Sequence, residues 1–72
     1  MKIMKMRYVI KDEKILGGAP TIAGTRIPAE RLAHLVEQGY EEKNIRREFP
    51  GVEVETIRGA LKELTLVGVQ NI

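Results

Sequence analysis

Cysteine, serine and tryptophan are absent from this 72-residue chain, and histidine occurs once, at His34. Without cysteine there is no disulfide framework, and a reducing compartment fits. Without serine or cysteine a Ser- or Cys-based triad is excluded, and a single histidine cannot furnish a histidine-rich metal site. Catalysis would have to rest on carboxylates and lysines in a domain with little room for a cleft. The chain is therefore expected not to be an enzyme and to need no cofactor or metal. No apolar run approaches the ~20 residues of a membrane span. The start, Met1-Lys2-Ile3-Met4-Lys5, lacks the apolar stretch of a signal peptide, so a cytoplasmic protein without membrane partners is expected. A strong excess of one charge is missing too: twelve Lys and Arg stand against ten Asp and Glu, a formal net charge of +2. Affinity for nucleic acid would have to come from local placement of cations, not from the total.

What is present begins with Gly17-Gly18-Ala19-Pro20-Thr21-Ile22-Ala23-Gly24-Thr25-Arg26-Ile27-Pro28. Two glycine-bearing turns flank a short apolar stretch, and a proline stands where a helix can begin. Upstream, Met4, Met6, Tyr8 and Ile10 alternate with Lys5, Arg7 and Val9, which predicts a strand over residues 4–10 with the first set as its apolar face. Its open edge needs a partner, either the segment around Ile22 or a second copy of the chain. Asp12-Glu13-Lys14 reads as a turn. After Pro28 the period changes: Ala29, Leu32, Ala33 and Val36, with Leu35 beside them, predict a helix of about three turns ending near Gly39. A second helix is predicted over residues 42–49 with Ile45 and Phe49 four apart, stopped by Pro50-Gly51. A third is predicted over residues 54–65 with Val54, Ile57, Leu61 and Leu64 as its stripe and Ala60 helping. The division is one domain: a strand and glycine-rich turn (1–27), three helices (28–65) and an apolar tail (66–72). A chain this short buries only roughly 60% of its unfolded surface, so a homodimer or hetero-complex is expected. The fold class is mainly α, a three-helix helix-turn-helix domain with a short N-terminal strand or hairpin.

The glycine-rich run fails as a nucleotide loop. A phosphate loop needs Gly-Lys-Ser/Thr leading into a helix, and here Gly24-Thr25-Arg26 leads to proline. The basic residues carry more. Lys43 and Arg47 are four apart on the second helix, as are Arg58 and Lys62 on the third. Like charges at that spacing weaken a helix by a few tenths of a kcal/mol, so phosphate contact gives them a reason that helix stability does not; an ordinary solvated face is the other reading. Arg46 joins the first cluster, and Glu42 can neutralise it. On this reading Arg58, Thr56 and Lys62 read bases while Arg46 and Arg47 anchor the backbone. Glu55 and Glu63 lie on or near the same polar face and would repel phosphate. Arg26 either meets a phosphate or partner, or ties its turn to helix-end carbonyls. His34 is assigned no role.

Gly18-Ala19-Pro20-Thr21-Ile22-Ala23-Gly24-Thr25-Arg26-Ile27-Pro28 resembles the signature of the family known as domain of unknown function 433, whose members resemble VapB-type antitoxins. The likeness continues through Gly39, Ile45, Phe49-Pro50, Ile57 and Ala60-Leu61, and spans residues 8–64. Gly18, Pro20, Gly24, Thr25, Arg26 and Pro28 are its signature positions. The resemblance implies an antitoxin that neutralises a cognate PIN-like ribonuclease toxin by direct binding and represses the shared operon through operator DNA. An orphan DNA-binding regulator and an interaction module that does not bind DNA are the alternatives. The chain departs from the family in carrying Glu41 and Glu53 where Ser, Thr or Asp usually cap the second and third helices. Gly59 stands in place of a common alanine and weakens the third helix by about 1 kcal/mol.

Overall fold

The computed structural model describes residues 7–68. Two short strands, β1 (Val9–Ile10) and β2 (Thr21–Ile22), precede three helices, α1 (Ala29–Glu37), α2 (Glu42–Glu48) and α3 (Val54–Val67). The architecture is mainly helical with an N-terminal two-stranded antiparallel hairpin, in the register Val9↔Ile22 and Ile10↔Thr21. The partner for β1 is thus the segment around Ile22, one of the two expected from its open edge.

The glycine-rich run builds the passage from hairpin to helix. A 3-10 turn at Leu16–Gly18 has positive φ at all three residues, Leu16 included. Downstream, the Thr25 N–H donates to the Ile22 carbonyl at 3.0 Å, and Gly24 has φ +75° while Ala23 keeps a negative φ. That is the geometry of a type II turn, which requires positive φ at its third residue. The Thr25 hydroxyl closes it twice, donating to the Ile22 carbonyl at 2.8 Å and accepting from the Ile27 N–H at 3.0 Å. Pro28 then bridges to Thr21, and the first amide of α1, Ala29 N–H, donates to the Pro20 carbonyl at 2.8 Å.

Each helix stops for a local reason. Gly39, at φ +91°, lets its own amide bond Val36 and the Tyr40 amide bond Leu35, at 3.0 Å each, so these two carbonyls of the last turn of α1 are satisfied. Phe49 precedes Pro50, which disfavours helical φ/ψ at the residue before it. Helix α2 therefore ends at Glu48, one residue short of expectation, with Phe49 at φ −128°. Helix α3 runs to Val67, two residues beyond it, and stops at Gly68 with φ +84°. At the start of α2, where Glu41 stands in place of a Ser or Thr cap, Asn44 accepts the Glu41 N–H through Oδ1 at 3.0 Å, the reciprocal bond of a capping box.

One core joins all five elements: Val9, Ile22, Ala29, Leu32, Leu35, Ile45, Ile57, Ala60 and Leu64. Three expected faces shift. In β1 the buried residue is Val9, while Tyr8 and Ile10 are half-buried, because the chain bends at residues 7–8 and lays the Tyr8 ring against α3. Met4 and Met6 lie outside the described residues. In α1, Leu35 is buried and Val36 is exposed. In α3, Val54 is exposed and Leu61 is half-buried against the core. The Arg31 guanidinium sits 5.3 Å from the centre of the Phe49 ring, which links α1 to the end of α2.

Candidate nucleic-acid interface

Helix geometry, at ~100° per residue, sets which side chains share a face. On α2, Ile45 points into the core, so Lys43 and Arg47 stand on the opposite side and are exposed. Glu42 and Arg46 occupy the flank between. On α3, Ile57, Ala60 and Leu64 define the buried side. Glu55, Arg58, Lys62 and Thr65 share the exposed one. Thr56 is half-buried and lies roughly 160° around the helix from Arg58. The structure therefore groups Arg58 with Lys62 and sets Thr56 apart from both.

The turn over residues 49–53 brings the start of α2 against the first half of α3. There the Arg58 Nε–H donates to both carboxylate oxygens of Glu42 at 2.9 Å. The same carboxylate lies 3.7 Å from Arg46 Nη1, as expected for the Glu42–Arg46 spacing. Lys43, Arg47 and Lys62 form no ion pair among the described residues. Beside this elbow, Tyr8, Val54, Glu55, Arg58, Gly59 and Lys62 line a shallow groove of about 510 Å³. The Tyr8 hydroxyl reaches Glu55 Oε1 at 3.4 Å.

The N-terminal segment is fastened to α3 by two residues whose roles the chain alone does not disclose. Glu63, expected on the polar face, is 8% exposed. It accepts the backbone N–H groups of Arg7, Tyr8 and Val9, all at 3.0 Å. A buried carboxylate requires such compensation, and three consecutive amides supply it. The hint in the sequence is positional: an acid three residues after Ala60 and next to Leu64. Gly59 is the second residue. A Cβ built there would overlap the Tyr8 ring, so its loss of helix propensity is offset by close packing of an aromatic ring.

The signature positions act as framework. Gly24, Thr25 and Pro28 form the turn and bridge described above, Gly18 adopts φ +90°, and Pro20 lends its carbonyl to α1. Arg26 is exposed, and its guanidinium makes no hydrogen bond or ion pair among the described residues; the tie to helix-end carbonyls expected as one of its two readings is not formed.

A family model described as "Protein of unknown function (DUF433)" matches residues 9–62. The chain belongs to the DUF433 family. A solved DUF433 member protein from Anabaena variabilis, at 2.00 Å resolution, shares 25% sequence identity with it and superposes with a TM-score of 0.71. The alignment covers 88% of this chain and 62% of that one, so the present chain spans less than two thirds of its solved relative. No curated protein shows a significant match. Among the described residues no helix is long and apolar enough to cross a membrane.

Proposed function

We propose that this DUF433 protein is the antitoxin of a type II toxin–antitoxin pair, which binds a PIN-like ribonuclease toxin directly and represses its own operon through α2, the turn and α3 acting as a helix-turn-helix. The observation that carries the DNA half is the elbow of α2 and α3: Lys43 and Arg47 on α2 and Lys62 on α3 are exposed without an acidic partner among the described residues, and Arg58 joins the two helices through Glu42. Exposed cations left unpaired on two adjoining helices of a nearly neutral chain are what phosphate contact uses. The antitoxin half rests on the family resemblance of the signature run.

For the toxin contact, the N-terminal strand (residues 3–10, by strand addition) and the apolar tail (66–72, by groove packing) are the two candidate segments. The amides of residues 7–9 are already held by Glu63, which removes donors that strand addition would need. Leu66, at 61% exposure, offers the tail an apolar beginning at the end of α3. Residues 3–6 and 69–72 lie outside the described residues.

Co-expression with the neighbouring open reading frame tests the reading. Toxicity of that frame, rescued by this chain and no longer rescued after removal of residues 66–72, is the expected outcome. A harmless neighbour together with salt-dependent binding to the chain's own upstream DNA would make it an orphan regulator. No DNA binding at low salt would leave an interaction module.

A further inference from the structure

Arg58 differs from the other cations of the elbow. Its Nε–H is fixed between both oxygens of Glu42 at 2.9 Å, and its two terminal nitrogens have no hydrogen bond among the described residues. Its side chain is 63% exposed and that of Glu42 33%. An exposed pair of this kind adds little to folding stability. It does fix the direction of a guanidinium that would otherwise sample many rotamers and have to be immobilised on binding. Pairing also cancels most of the charge that Arg58 would bring to a phosphate, while Lys43, Arg47 and Lys62 keep theirs.

We infer, on the DNA-binding reading above, that Glu42 is a positioning residue that holds Arg58 with its terminal nitrogens free to form the end-on fork that recognises guanine O6 and N7 in the major groove. The two jobs at the elbow are thereby separated. The unpaired cations supply phosphate attraction, which is blind to sequence. The Glu42–Arg58 pair supplies base choice, the better-matched task for a planar fork with a fixed axis. Arg46, sharing the same carboxylate at 3.7 Å, is drawn to the flank of α2.

The test uses the full chain, a randomised DNA duplex pool, and the variants Glu42→Gln, Arg58→Ala and the double substitution. The wild type is expected to enrich duplexes with a fixed G·C pair. Arg58→Ala and Glu42→Gln should each lose about tenfold of the preference for that pair, the scale of one bidentate contact, and the double variant should lose no more than Arg58→Ala. The salt dependence of binding should be unchanged or steeper in Glu42→Gln, since no phosphate-binding cation is lost, and thermal unfolding should move little. If Glu42→Gln keeps the preference, weakens all duplexes alike, or adds its effect to that of Arg58→Ala, the positioning role is overturned while DNA binding stands. If the wild type enriches nothing and binds without salt dependence, the DNA reading fails and this role with it.

Discussion

Glu63 and Gly59 hold the N-terminal segment against α3 by opposite means, one by accepting amides and one by leaving room. Replacing Glu63 with Gln keeps the shape but turns an amide NH₂ toward backbone donors. One or more N–H groups then lose their acceptor in a buried place, a loss of about 1–3 kcal/mol, to be read from urea unfolding. Gly59→Ala is expected to invert the usual rule. In an ordinary helix interior it stabilises by about 0.5–1 kcal/mol, but here the added methyl meets the Tyr8 ring. Destabilisation is expected, and the Tyr8→Ala background should restore the normal sign; a stabilised Gly59→Ala in the wild-type background would contradict the packing described. Neither role was legible in the chain. Propensity sees a glycine that weakens a helix and an acid on its polar side, while the Tyr8 ring and the three amides come from the far end of the sequence.

At the scale of elements, the three helices were readable because punctuation and period agreed, with Pro28 before α1, Gly39 after it, and Pro50-Gly51 between α2 and α3; the partner of β1 was readable only as one of two choices, and the fold supplies β2. Faces were read less well. Helix α1 packs against α3 and β2, so only the narrow stripe Ala29, Leu32 and Leu35 is covered, and Val36, one step around, faces solvent. The cationic candidates were legible as pairs four apart, but the carboxylate shared by Arg46 and Arg58 needed the crossing of two helices. For the signature turn, Thr25→Val removes one donor and one acceptor at once and should cost about 1–3 kcal/mol, measured as a lowered thermal midpoint. For the elbow, Lys43→Ala and Arg47→Ala should each lower the slope of log affinity against log salt by about one without altering sequence preference. A variant that changed preference and left the slope intact would place that cation at a base edge.

For the molecule as a whole, a single core spans hairpin and bundle, and the radius of gyration of 11.6 Å matches the roughly 11 Å of a compact chain of this length. Unfolding is therefore expected to be one cooperative transition. In hydrogen exchange the Val9 amide should open at the same free energy as that of Ile57, whereas Glu63→Gln should let Val9 exchange by a separate, cheaper opening. Coincident protection in that variant would show that Glu63 does not hold the segment. The clasp between residues 7–9 and 59–63 also orders events in time. A ribosome releases the N-terminal segment first, yet the ring slot and the carboxylate that receive it follow only later, Glu63 standing 54 residues after Val9. Until then the amides of Arg7, Tyr8 and Val9 lack the carboxylate that holds them in the fold, so closure waits until residues 59–63 have been made and released, and a nascent chain stalled before Gly59 lacks the clasp.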